Sequence, residues 1–217
     1  MPSYERLIDI IEKGEKYYDL FLDYWKKKIE PVEIKLLDKW EKQNSETKPM
    51  DKLQNVCRLS FPFEKLNLAA MALHKTGSAM ATPPGILTFS FNEEGTKPNI
   101  SWLIGHEATH LLLGAYPKYG VNWRKNPSAP KAIKKIKKLG LIEWYIEEIC
   151  CVFMQVALSK ECNYRKETFS LISKLKTDNV PEAYPIIYKT LEDNWNEYKN
   201  DSQKWPTIID YLLEIWV

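Results

Sequence analysis

The chain of 217 residues has little glycine, no excess of charge of one sign and no long apolar run. Its 8 glycines are few for a loop-rich or all-β protein, and their scarcity favours helices. The 31 Lys and Arg residues nearly balance the 29 Asp and Glu residues, so the net charge of +2 gives no reason to expect nucleic-acid binding. No window approaches the roughly 18 consecutive apolar residues of a membrane span, so no membrane partner is expected.

The sequence also shows no apolar core of a signal peptide in its first residues, because MPSYERLIDIIEKGEKYYDL is charged and amphipathic. The 4 cysteines, Cys57, Cys150, Cys151 and Cys162, are therefore expected to be reduced thiols in a cytoplasmic protein. Hydrophobic residues make up 44% of the chain, which excludes a largely disordered protein.

Helical periodicity runs through most of the chain, with one exception before residue 100. The segments 78–82 and 86–92 are predicted strands, and ILTFSFN in the second is the strongest strand signal. The fold class is therefore mostly α (α+β), with a small antiparallel β element. An N-terminal helical region, 1–76, is expected to pack on a core region, 77–217, as one continuous unit. Helices are predicted over 3–29 (ended by Pro31), 32–43, 51–60, 63–75, 100–114, 130–139, 141–160, 164–176, 182–199 and 206–216.

The helix predicted over 100–114 carries the sequence His-Glu-Ala-Thr-His, an HExxH motif formed by His106, Glu107 and His110. One helical turn separates the two histidines, so both imidazoles leave the same face about 6 Å apart. This spacing suits two ligands of one tetrahedral Zn²⁺, with Glu107 reaching the side where a bound water would sit. Zinc lowers the pKa of such a water towards about 7, and Glu107 can take its proton and pass it to a leaving group.

The residues around the motif favour a metal site over two ordinary core histidines. Leu103, Ile104 and residues 111–113 make the helix apolar on every side, which predicts that it is buried. Buried histidines need partners, and histidines satisfied by hydrogen bonds alone would not explain the glutamate between them.

A third ligand is expected from the later helix that contains LIEWYIEEICC, where Glu143, Glu147 and Glu148 lie. A helical wheel places Glu148 with Trp144, Gln155 and Ser159 on a mixed face that is expected to be solvated. Glu143 and Glu147 fall on an apolar stripe, where a carboxylate is costly without a cation. Glu147 is therefore the predicted third zinc ligand. Glu143 is the alternative, although it could instead hold a ligating histidine or form a salt bridge.

Other side chains are alternative candidates for the third metal ligand. His74 is the remaining histidine, and it lies on an apolar predicted helix, where an end position near solvent is expected. A thiolate of Cys150 or Cys151 could replace the glutamate, although buried cysteines are more often structural.

HExxH followed by a glutamate on a second helix resembles the gluzincin metallopeptidases, and the compact size is similar to that of minigluzincins. The resemblance covers about residues 78–160, although Cys151 stands where these enzymes often have Asp or Asn. It implies a zincin-like fold in which the strand over 86–91 is an edge strand that pairs with an extended peptide substrate. It also implies an oxyanion-stabilising side chain from a later helix. Tyr184 is the predicted one, with Tyr188, Tyr116 and Arg165 as alternatives.

A basic stretch follows the motif helix, with lysines at positions 131, 134, 135, 137 and 138. It is typical of a solvated surface helix, and it could also act as a docking face for an acidic partner or nucleic acid.

These observations predict a cytoplasmic zinc metallopeptidase that acts on peptide or protein substrates. His106, His110 and Glu147 would bind Zn²⁺, and Glu107 and Tyr184 would be catalytic. The alternative function is a zinc-binding regulatory or protein-interaction module on the same scaffold without hydrolytic activity.

Overall fold

The computed structural model describes residues 4–72, 79–82, 85–91, 100–114, 122–163 and 183–214, and most of these are helical. Within these ranges, no helix combines the length and apolarity that crossing a membrane requires. Two π-helical segments, Trp25–Ile29 and Ile104–Ala108, join neighbouring helices, and a 3₁₀ turn, Trp123–Lys125, precedes the sixth helix. The helices are α1 (Tyr4–Tyr24), α2 (Glu30–Thr47), α3 (Pro49–Cys57), α4 (Ile100–Leu103), α5 (Thr109–Leu113), α6 (Ala129–Lys138), α7 (Trp144–Glu161), α8 (Ala183–Asn200) and α9 (Ile208–Glu214).

Three short strands form one mixed sheet in the order β1–β3–β2. The strands are β1 (Asn67–Ala72), β2 (Ala79–Thr82) and β3 (Ile86–Phe91). The antiparallel pairing of β2 with β3 confirms the predicted β element, and β1 adds a parallel neighbour on the other side of β3.

The prediction of a helix over 63–75 is wrong, because β1 occupies 67–72. Its sequence, NLAAMA, is rich in the residue with the highest helix propensity, which misled the periodicity argument. The strand forms because β3 offers it a complete ladder partner, from Asn67 opposite Ile86 to Ala72 opposite Phe91. Tertiary pairing therefore outweighs local preference here.

The predicted end of the first helix at Pro31 is also wrong. The chain stays helical through the π-helical segment before α2, and Pro31 lies in the first turn of α2, where its missing N–H costs no hydrogen bond. The other predicted helices in the described ranges are found within a few residues of their expected bounds, and the helix predicted over 164–176 lies outside the described residues.

The core lies between the sheet and the helices that flank it. Trp40 of α2 packs edge-on against Phe89 of β3, with ring centroids 5.6 Å apart. Leu53 and Cys57 of α3 are completely buried, and so is Phe153 of α7. This packing fixes α7 next to the helix that carries the HExxH motif.

An aromatic cluster attaches the C-terminal helices to the far side of α7. Phe153 packs edge-on against Trp195 of α8, and Tyr198 stacks on Tyr211 of α9 with centroids 4.7 Å apart. Arg58, just after α3, lies over the ring of Tyr198 and donates to the carbonyl oxygen of Trp205. These contacts fix the position of α7 relative to α8 and α9.

Candidate metal centre

Three consecutive helical segments, α4, the π-helical segment Ile104–Ala108 and α5, form what we call the motif helix, and the HExxH motif lies on the last two. Gly105, one residue before the motif, lies directly against α7. A Cβ atom at this position would come within 2.8 Å of the Cα of Gln155 and 3.0 Å of the carbonyl oxygen of Met154. The absence of a side chain therefore lets the two helices approach closely enough for their functional groups to meet. The motif helix ends at Gly114, the last residue of the predicted helix, whose φ of 80° gives a left-handed cap.

The close crossing brings His106, His110 and Glu148 together. One ligand atom from each of these residues lies within 4.8 Å of the others. Nε2 of His106 is 3.3 Å from one carboxylate oxygen of Glu148, and Nε2 of His110 is 3.5 Å from the other. The two imidazole centroids are 5.2 Å apart, which agrees with the predicted common face. All three side chains keep some exposure, between 14% and 22%, so water can reach the group.

The structure brings Glu148 into this group, and not Glu147, which the sequence predicted. The expectation that this face of α7 is solvated holds only at Trp144, which is 49% exposed. Gln155 and Ser159 are buried, and the side chain of Glu148 is 22% exposed. The reason is tertiary: this polar stripe of α7 is the face that the motif helix covers at Gly105. A helical wheel groups residues by polarity, but it does not show which neighbour packs on each face.

Glu147 contacts the other side of the His110 ring. Its carboxylate oxygen Oε1 is 2.9 Å from Nδ1 of His110, and its Oε2 accepts a hydrogen bond of 3.4 Å from the indole N–H of Trp123. A carboxylate on Nδ1 keeps the proton on that nitrogen and leaves Nε2 as the ligand atom, turned towards His106 and Glu148. Trp123 was not found by sequence reasoning, because nothing in a loop of mixed composition links it to a residue 24 positions later.

Glu107 lies on the side of the group that faces the sheet. Its carboxylate oxygen Oε1 is 3.9 Å from Nε2 of His106, and only 6% of the residue is exposed. The main-chain N–H of Ala81 in β2 donates to this carboxylate. Burial raises the pKa of Glu107 above its ordinary value, against the opposing effects of His106 and His110. A carboxyl group with a raised pKa is a stronger proton acceptor when ionised.

The strand beside the motif helix is β2, and the expectation that the strand over 86–91 is an edge strand is wrong. Within the described sheet, β3 is the central strand, with β1 and β2 on its two sides, so its main-chain groups are engaged on both sides. The hydrogen bond from Ala81 to Glu107 places β2 directly against the motif. β2 is therefore the strand edge closest to the histidines.

The charges of the group are strongly coupled. Burial raises the pKa of Glu148, but its bonds to His106 and His110 outweigh this and lower it to about 2. Burial lowers the pKa of His110, but its bonds to the carboxylates of Glu147 and Glu148 reverse this and raise it above its ordinary value. Burial raises the pKa of the Cys151 thiol to about 12, so it is a neutral neighbour of His110 and a poor metal ligand.

The remaining predicted candidates fall elsewhere. Glu143 forms ion pairs with Arg124 and Lys137 at 3.7 and 3.4 Å, which is the salt-bridge alternative. Cys150 is a buried free thiol outside the group. Tyr188 is buried within the core, with 2% exposure. His74, Tyr116, Arg165 and the side chain of Tyr184 lie outside the described residues, and only the backbone of Tyr184 is placed, in the first turn of α8.

The donor set and the charge of the group both fit a divalent cation. Two imidazole nitrogens and one carboxylate are the ligands that zinc accepts in catalytic sites. Three carboxylates, of Glu107, Glu147 and Glu148, converge on two histidines. Within the described ranges no Lys or Arg side chain pairs with any of them, so a bound cation would balance their charge.

Comparison of the chain with protein-family models, with curated proteins and with solved structures found no match.

Proposed function

We propose that the protein is a zinc-dependent metallopeptidase in which His106, His110 and Glu148 hold the metal. The observation that supports this most is the meeting of the HExxH histidines with Glu148 across a helix crossing, with Glu107 beside them. The motif alone is short, but the structure adds a third donor of the right chemistry from a different helix.

Different residues of the chain would carry out different steps of peptide hydrolysis. A bound zinc ion would supply the Lewis acid that lowers the pKa of a water molecule and polarises a carbonyl group. Glu107 would accept the proton of the attacking water at its carboxylate and then donate it to the nitrogen of the leaving amine. Its buried position and raised pKa suit both steps, because the same group must act first as a base and then as an acid.

Glu147 would act through His110. It holds the proton on Nδ1 and orients the ring, while Trp123 fixes the carboxylate of Glu147 from the other side. Tyr184 stays the proposed oxyanion-stabilising residue on the basis of the resemblance to gluzincins. The edge of β2 would take the role expected of the upstream strand, the pairing with an extended peptide, because it lies next to Glu107.

The test combines metal analysis with hydrolysis assays. We expect about one zinc ion per purified chain and cleavage of unfolded protein or quenched fluorescent peptides that stops when a chelator is added. The Glu107→Gln variant should keep its zinc and its melting temperature but lose about 10²–10⁴-fold in kcat, the range for a general acid-base residue.

Three outcomes would contradict the proposal. Full activity of Glu107→Gln would refute the mechanism. Stoichiometric zinc without cleavage of any substrate would favour the alternative of a regulatory or interaction module on a peptidase-like scaffold. Absence of metal, with no change in melting temperature on chelation, would exclude both functions.

A further inference from the structure

The chain is locally very basic after the HExxH motif, although its overall charge is nearly balanced. From Ala108 to Ile142 there is no Asp or Glu, and the next acidic residue is Glu143. The same stretch contains eight basic residues, more than the net charge of +2 of the whole protein. They are Lys118, Arg124, Lys125, Lys131, Lys134, Lys135, Lys137 and Lys138.

Helix α6 carries five of these eight basic residues, and three of the five lie on one outward side. Ala132 and Ile136 are completely buried against the core, so the opposite side of the helix faces solvent. Lys131, Lys134 and Lys138 lie on this side at helical spacing, and each is exposed. Within the described ranges these three lysines form no ion pair, so their charge is not neutralised by the protein itself.

An exposed apolar tip follows α6 in the chain, where α6 leads into α7. Leu139, Ile142 and Trp144 are 47%, 65% and 49% exposed, which is unusual for three large apolar side chains within six positions. The ion pair of Lys137 with Glu143, at 3.4 Å, holds the tip next to the last turn of α6. We call these three apolar residues, together with Lys131, Lys134 and Lys138, the basic tip.

We propose that the basic tip binds the surface of an anionic lipid bilayer. Lysines that face outward without counter-charges are attracted to anionic headgroups, and neighbouring Leu, Ile and Trp side chains can enter the headgroup and acyl boundary. No membrane-spanning helix is needed for this, so the sequence argument against a membrane span does not apply. The proposal does not depend on the metal centre.

The composition favours a bilayer over a protein or a nucleic acid. Protein interfaces are enriched in Arg and depleted of Lys. The charge of the basic tip comes from lysines alone, and the neighbouring Arg124 is already paired with Glu143. Ile142 and Leu139 also offer nothing to a phosphate backbone, whereas aliphatic side chains gain from contact with lipid.

The experiment is co-sedimentation of the full chain with vesicles of 30% phosphatidylserine in phosphatidylcholine, compared with pure phosphatidylcholine. We expect binding only to the anionic vesicles, weakening with added NaCl. A lysine near an anionic surface strengthens binding about fivefold, so the Lys131→Gln, Lys134→Gln, Lys138→Gln triple variant should bind about a hundredfold more weakly. Ile142→Ser should lose about tenfold through the removed apolar contact.

Matched controls separate the basic tip from general charge and hydrophobicity. The Lys35→Gln, Lys39→Gln, Lys42→Gln variant removes the same charge from the exposed side of α2, and Leu20→Ser removes an apolar side chain that is 69% exposed on α1. Both should bind vesicles like the unmodified protein.

Several results would overturn the proposal. These are no binding to anionic vesicles, equal binding to neutral vesicles, and equal losses in the triple variant and its control. Unchanged binding of Ile142→Ser would refute the insertion of the apolar tip. Binding to single-stranded RNA that the triple variant loses, without vesicle binding, would assign the surface to a nucleic acid instead.

Discussion

Substitution of adjacent glutamates on α7 separates the metal ligand from the residue that supports it. Glu147→Gln keeps the volume of the side chain but replaces a charged acceptor of the His110 and Trp123 hydrogen bonds with a neutral one. A hydrogen bond to a charged group is worth about 1.5–3 kcal/mol and a neutral one about 0.5–1.5, so the loss is about 1–2 kcal/mol. This corresponds to about 5–30-fold in zinc affinity, close to the range known for carboxylates behind a ligating histidine.

Glu148→Gln should cost far more, on the order of a thousandfold, because it removes the only anionic donor in the group of three. Glu143→Gln is the matched control: it makes the same change one turn earlier, where the carboxylate pairs with Arg124 and Lys137. Its zinc affinity should stay within about twofold.

The assay is competition for zinc with a chromophoric chelator, with melting curves of the metal-free variants to show that each is folded. If Glu147→Gln lost more affinity than Glu148→Gln, the assignment of the ligand would be wrong and the original sequence prediction of Glu147 would be restored.

Two further predictions concern the helix crossing and its protons. Gly105→Ala should lower the free energy of unfolding in urea by about 1–3 kcal/mol and weaken zinc binding, because its Cβ would meet the Gln155 backbone at 2.8 Å. The control Gly14→Ala, whose Cβ would have nothing within 4 Å, should raise the free energy of unfolding by about 0.5–1 kcal/mol. Equal effects of the two substitutions would refute the close crossing. Zinc binding at pH 7 should release about one proton, and zinc affinity should rise with pH, because the raised pKa keeps His110 protonated in the metal-free protein. Protonated His110 stabilises the folded metal-free protein fully below about pH 6.5, and this stabilisation is lost as pH rises through the higher folded pKa. Ionised Glu148 stabilises the folded protein fully above about pH 4.5, and this stabilisation is lost as pH falls towards 2. Calorimetry in two buffers of different ionisation enthalpy measures the proton release, and no dependence on the buffer would refute it.

The sequence by itself determined the elements whose signals are local. The HExxH spacing placed two imidazoles on one helix face, the scarcity of glycine favoured a helical protein, and Gly114 ended the motif helix as predicted. These features depend on the helical period, on propensities and on one backbone conformation, all of which act within a few residues. The strand pair over 79–82 and 86–91 was equally readable, because only three residues separate its two members in the sequence.

Only the tertiary structure decided which residues meet. β1 became a strand because β3 offered it a ladder. Glu148, rather than Glu147, lies near Nε2 of both histidines because Gly105 allows the motif helix to cover the polar face of α7. Trp123 reached Glu147 in the same way, through packing between distant segments. Two neighbouring glutamates have almost the same local sequence pattern. They point in directions about 100° apart around α7, and no local pattern shows which direction faces the motif helix.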